Sequence, residues 1–150
     1  MRVATMIDPE SGKPFIAYAV HRFGSPRSGF TDNVQQGGIT AKIDLKNGRL
    51  SMAHFYTKEG HKEIFEKHPG SQAIIFNQQI PDWDSIKERI IEMSCRMPYL
   101  KYVGWDFILT DDQLYVLEGN VASGLGLVQL YNPMKEYPDA WKFFRHYGYV

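Results

Sequence analysis

Apolar and polar residues alternate in short runs along most of this chain, a period-two pattern that predicts half-buried strands. Arg2 to Ile7 and Pro14 to Arg22 flank the turn Asp8-Pro9-Glu10-Ser11-Gly12-Lys13. Gly38 to Asp44 and Arg49 to Phe55 flank Lys46-Asn47-Gly48, a hairpin signal. A third hairpin is expected from Tyr102–Leu109 and Gln113–Glu118, joined through Thr110-Asp111-Asp112. One stretch switches to helical spacing: Trp83, Ile86, Ile90, Met93 and Met97, with Asp82 or Asp84 as the cap and Pro98 as the stop. A last helix is expected over Asp139–His146, aromatic on one side through Trp141, Phe144 and Tyr147. Phe23–Gln36 reads as a polar loop, Lys58–Ser71 as a long charged excursion with a short helical turn, and Ala73–Phe76 as a brief apolar run. Hairpins around one clear helix predict an α+β class: an antiparallel β-sheet with flanking helices, not a doubly wound parallel fold.

Composition narrows the picture. A chain of 150 residues with 43% hydrophobic content suits one folded domain. Seventeen basic residues balance seventeen acidic ones. That balance argues against a nucleic-acid surface, and no basic amphipathic run points to a membrane. No apolar stretch approaches the roughly 20 residues of a bilayer span, and Met1–Ile7 is too short for a signal peptide. The single Cys95 makes no internal disulfide, so a reducing, cytoplasmic setting is expected. Its apolar helical neighbours predict a buried, inert thiol. His61 and His68 have no metal-binding spacing and read as surface residues. Nine Tyr, nine Phe and three Trp exceed what a small core absorbs, so a surface covered by another lobe or by a twin subunit (a homodimer) is expected.

The chemistry concentrates in the third hairpin. Strand pairing brings Asp106 toward Glu118, and Glu118 and Asn120, two apart in extended chain, leave the same face. Two carboxylates and a carboxamide on one side of a sheet suit a hard divalent cation, most commonly Mg2+ bridging to a polyphosphate. The plainer reading is two strand-end acids, solvated or salt-bridged. Against it, each acid sits among apolar neighbours (Trp105, Phe107, Leu117), where an uncompensated carboxylate is costly.

With Gly104-Trp105-Asp106, Glu118-Gly119-Asn120 and an upstream Asp32-Asn33…Gly37-Gly38-Ile39, the chain resembles the catalytic half of an ATP-grasp enzyme. The closer resemblance is to the sugar-transfer-associated ATP-grasp family, over about Arg2 to Gln129. Two departures stand out. Gly104 replaces an arginine that many superfamily members place two residues before the strand acid, and Ser123-Gly124 replaces Pro-Gly. The resemblance implies ATP and Mg2+ as cofactors, with Asp106, Glu118 and Asn120 as metal ligands. It also implies an upstream lobe carrying ATP-contacting lysines, absent from these 150 residues, so the chain is expected to be a partial ATP-grasp unit with little or no turnover alone. The partners implied are a nucleotide and a small carboxylate substrate.

Three further elements carry double readings. Arg22, ending an apolar strand, is either a surface arginine or a guanidinium for the γ-phosphate, the role the resemblance favours. Asn33 with Gly37 and Gly38 is either a turn entering a strand or a cradle laying backbone N–H groups against phosphates. The Ser123–Gly126 loop is either a connector or, through Gly124, a source of backbone donors that orient the acceptor. His21 falls on the face opposite Arg22 and reads as structural. Two functions follow: an ATP-dependent carboxylate–amine or carboxylate–thiol ligase fragment working through an acyl-phosphate in a polysaccharide-related pathway, or a non-catalytic ATP-grasp-like module for dimerisation or partner binding.

Overall fold

A computed structural model describes residues 1–57, 60–110, 113–121 and 123–150. Seven strands hydrogen-bond in the order β5-β4-β3-β2-β1-β6-β7: β1 Arg2–Ile7, β2 Pro14–Phe23, β3 Ile39–Ile43, β4 Leu50–Tyr56, β5 Lys62–Phe65, β6 Tyr102–Leu109 and β7 Leu114–Val121. Every described register is antiparallel. Three helices accompany them: α1 Trp83–Cys95, α2 Gly126–Gln129 and α3 Pro138–His146. The α+β reading therefore holds. Among the described residues no helix is long and apolar enough to cross a membrane.

The chain divides into two compact units, Met1–Ala19 with Asp84–Val150, and Val20–Trp83. In the first, β1 is central, and Val3 to Ile7 are all buried. Its even positions share a face with β6, since Arg2 pairs with Asp106, Ala4 with Gly104 and Met6 with Tyr102. On that face Ala4 and Met6 pack with Tyr18, Val128, Phe143 and Phe144, the core under α2 and α3. On the other face Trp105 Nε1 donates to Thr5 Oγ1 at 2.8 Å, satisfying a buried indole. The turn before β2 closes on Asp8, whose carboxylate accepts from the backbone N–H groups of Glu10 and Ser11. Lys142 of α3 reaches Asp8 and Glu10 in the same turn.

The buried face of α3 carries Ala140, Phe143 and Phe144, a stripe one residue round from the expected Trp141–Phe144–Tyr147 line. Likewise Cys95 is exposed, not buried, because Ile86, Ile90 and Ser94 set the inward face of α1. Cys95, five residues past Ile90, falls well off that stripe.

In the second unit β3, β4 and β5 form a meander. Within the excursion expected to hold a helical turn, the chain instead forms β5. Its Ile64 and Phe65 pair with His54 and Ala53, while Arg27 pairs with Glu63. Edge strands carry charges as a matter of course, and that masks their alternation. The expected segments around Lys58, Glu59, Asp111 and Asp112 lie partly outside the described residues. His68 is a latch, not a free surface side chain. Its Nδ1 accepts from the N–H groups of Gly70 and Ser71, which leaves Nε2–H to donate to the Gly24 carbonyl at 2.6 Å.

Candidate functional site

The candidate residues fall into two clusters, one in each unit. In the first, the register sets Asp106 directly opposite Glu118 and Gly104 opposite Asn120. Directly paired residues in an antiparallel sheet share a face, so Asp106, Glu118 and Asn120 lie on one side of β6 and β7. A bulge follows at once, with Phe107 opposite Val116, so Leu117 is the extra residue that ends regular pairing beside the acids. Glu118 is exposed, Asn120 is half-buried, and Asn120 Nδ2 donates to Glu118 Oε1 at 3.0 Å. Asp106 is only 6% exposed.

What holds Asp106 there is Arg2, a residue the sequence reading passed over. Arg2 Nε donates to Asp106 Oδ1 at 2.5 Å and Nη2 to Oδ2 at 2.7 Å, a bidentate fork, while Nη1 donates to Ser123 Oγ at 2.9 Å. The bond to Asp106 raises the Arg2 pKa above its ordinary value against the opposing effect of burial. The site thus has a row of three charged side chains across β1, β6 and β7, the Arg2 cation at one end followed by Asp106 and Glu118. Behind it the Tyr18 hydroxyl donates to Tyr102 Oη at 3.0 Å, because Tyr102 spends its own proton on the Ser123 carbonyl at 2.5 Å. Burial pushes both phenols up, so they remain donors at neutral pH.

Gly104, the departure from the superfamily arginine, has a steric cause. A Cβ there would meet Ser123 Oγ and lie 2.5 Å from Ser123 Cβ and 3.3 Å from Arg2 Cδ. Ser123 and the Arg2 side chain fill the space an arginine on β6 would need. Gly124 is exposed, and a Cβ on it would meet nothing within 4 Å.

In the second cluster Arg22 donates through Nε to Asp32 Oδ2 at 2.9 Å and through Nη2 to Asp32 Oδ1 at 2.7 Å. Asn33 caps a 3-10 turn over Val34–Gln36, its side chain accepting from Gln35 N at 3.0 Å. Gly37 has φ 104°, and a Cβ on Gly38 would come within 2.7 Å of the Asp32 carbonyl carbon. The glycine pair is therefore required by its own loop folding back on Asp32 and Arg27. His21 stacks on Phe23 with ring centroids 4.3 Å apart, and burial lowers its pKa to about 4.

Hard oxygen donors on one open sheet edge suit Mg2+, which is normally bound by one or two carboxylates together with substrate phosphates. Glu118 and Asn120 meet that requirement directly. Asp106 meets it while sharing its carboxylate with Arg2, which uses two of the roughly four lone-pair sites such a group offers. Among the described residues no three of His, Cys, Asp and Glu gather into a metal group, as expected of a set with two acids and an amide.

A seven-stranded antiparallel sheet with helices and an acid opposite E-x-N define a recognisable class. Residues 1–136 match the family model described as sugar-transfer associated ATP-grasp, and the chain belongs to that family. It is thus an ATP-grasp domain of the ligase type. No curated protein and no solved structure matches it.

Proposed function

We propose that the chain carries the metal- and phosphate-handling half of an ATP- and Mg2+-dependent carboxylate–amine or carboxylate–thiol ligase, working through an acyl-phosphate in a polysaccharide-linked pathway. The observation that carries this reading is the direct pairing of Asp106 with Glu118, with Asn120 on the same face. Asp106, Glu118 and Asn120 would hold Mg2+, which when bound supplies charge neutralisation for the phosphates. Arg2 fixes the Asp106 carboxylate in place through its two-pronged hydrogen bond. Arg22 and Asn33 contribute to phosphate binding, whereas the Gly37 and Gly38 N–H groups are already given to the Val34 and Asn33 carbonyls and shape the loop that carries them. Gly124 offers its backbone to the acceptor.

The test is calorimetric titration of the whole chain with ATP, with and without Mg2+. Saturable binding that requires Mg2+ and falls at least about tenfold in Glu118→Gln is expected. Glu118 is exposed, so this substitution leaves the fold intact. Binding indifferent to Mg2+ or to Glu118→Gln overturns the proposal. A second reading, a non-catalytic module for dimerisation, is favoured by one observation: β7 presents Tyr115, Val116, Leu117 and Val121 to solvent, Leu117 at 60%. Sedimentation would then show dimers that Leu117→Lys dissociates and nucleotide leaves unchanged.

A further inference from the structure

On the core side of the first unit lies a cleft of about 850 Å³, walled by Tyr102, Leu125, Trp141, Phe144 and Tyr149. Close-packed interiors leave no voids of this size, and it falls within the range of small-molecule sites. Its polar groups are few: among the described residues the charged side chains lining it are Lys101 and Lys135, and Val150 lines it too. Lys101 Nζ is oriented by donating to the Pro98 carbonyl at 3.0 Å, which leaves two of the ammonium's three donors to serve an anion. At one end the cleft reaches Ser123 and Gly124, and Ser123 Oγ is bonded to the Arg2 fork that holds Asp106.

We propose that this cleft binds an apolar small molecule bearing one anionic group, its hydrocarbon body against the aromatic walls and its anion at Lys101 and Lys135. Lysine stems add to an apolar wall while their charged heads stay hydrated, a combination that suits an amphiphile better than a sugar or a free nucleotide. As a plain binding site the cleft stands alone. As the place where the ligase takes a substrate, it rests on the function proposed above.

Titration of the whole chain with sodium dodecanoate, below its micelle concentration, tests this directly. Saturable one-to-one binding is expected, with a change in Trp141 emission that Trp141→Phe removes. Decanoate, two methylenes shorter, should bind about tenfold more weakly. Dodecyltrimethylammonium, of equal length and opposite charge, should also be at least about tenfold weaker, and the Lys101→Glu/Lys135→Glu variant should reverse that preference. Both lysines are exposed, so the variant keeps its fold, checked by circular dichroism.

Absence of saturable dodecanoate binding overturns the proposal, as does equal affinity for the two head groups or a preference unmoved by charge reversal. Two other occupants overturn it as well. Self-association that excludes dodecanoate would mean a second copy of the chain fills the cleft, and binding to phosphatidylglycerol vesicles without binding to monomeric dodecanoate would mean a lipid surface does. Glu118→Gln separates the two claims, because it should weaken Mg-ATP binding at least about tenfold and leave dodecanoate binding within twofold of the parent value.

Discussion

Each unit contains an arginine that grips an aspartate with a two-pronged fork, and the two forks differ in nearly everything but chemistry. Arg2 and Asp106 lie 104 positions apart, with side chains 15% and 8% exposed. Arg22 and Asp32 lie 10 apart, with side chains 20% and 41% exposed. The first joins a central strand to the strand bearing the candidate metal acid. The second closes a local loop. In low dielectric an arginine–carboxylate pair is worth little net of desolvation, but breaking it strands a charge, whereas a solvated pair loses little when broken. The buried fork is therefore a fixed part of the architecture, and the open one can be given up to a ligand.

The sharpest way to break this contrast is to neutralise one member of the buried fork. Asp106→Asn leaves the Arg2 guanidinium without its counter-charge, and an expected loss of about 3–5 kcal/mol follows in urea unfolding. Arg2→Met should cost a similar amount for the reverse reason. The double variant Arg2→Met/Asp106→Leu should recover most of the loss, because two apolar groups leave no buried charge unmatched. Single variants costing under about 1 kcal/mol would show the pair to be no more embedded than a surface bridge. A practical consequence is that loss of nucleotide binding in Asp106→Asn mixes folding with ligation, so the exposed Glu118 is the better probe.

A smaller effect distinguishes the second unit through His21. Burial holds its ring neutral down to about pH 4, while in the unfolded chain it titrates near 6.5. Between those values the unfolded state binds a proton that the folded state refuses, so stability is full above about pH 6.5 and falls as pH drops toward 4. The slope from this one group reaches at most about 1.4 kcal/mol per pH unit. Urea midpoints at pH 7, 6 and 5 should decline in the parent chain and flatten in His21→Gln. A decline of the same steepness in the variant would assign the effect to other groups.

How much of this was legible beforehand follows from sequence distance. The pairing of Asp106 with Glu118 was readable because two strands joined by a short turn have few possible registers, and E-x-N spacing fixes a shared face. The Arg2 fork was not readable. An arginine one residue into the chain, followed by a strand of buried residues, has no local signal for a partner on β6. Gly104 was a clue of the right kind, since a glycine inside an apolar strand marks a close approach, here by Ser123 and Arg2. The edge strand β5 escaped because charged Lys62 and Glu63 sit within it. Asn33 and the glycine pair were recognised as an element, and their loop geometry explains them without any ligand.

The smallest effect expected is on the open fork, and it bears most on function. Arg22→Met and Asp32→Asn should each cost about 1 kcal/mol or less, and a double-mutant cycle should give a coupling of about 0.5–1 kcal/mol that shrinks in 1 M salt. Asp32 is exposed enough for water to replace the lost bonds, and a loop closed over ten residues loses little when one clasp goes. That low cost is what a phosphate-binding arginine needs, because the guanidinium must exchange a carboxylate for an anion of higher charge without unfolding its loop. Titration with inorganic pyrophosphate reads the exchange: Asp32→Asn, freeing Arg22 from its competitor, should bind at least about threefold tighter than the parent chain, and Arg22→Met weaker. Tighter binding in neither variant, with a coupling as large as that of Arg2 and Asp106, would make both forks structural and remove the contrast between the units.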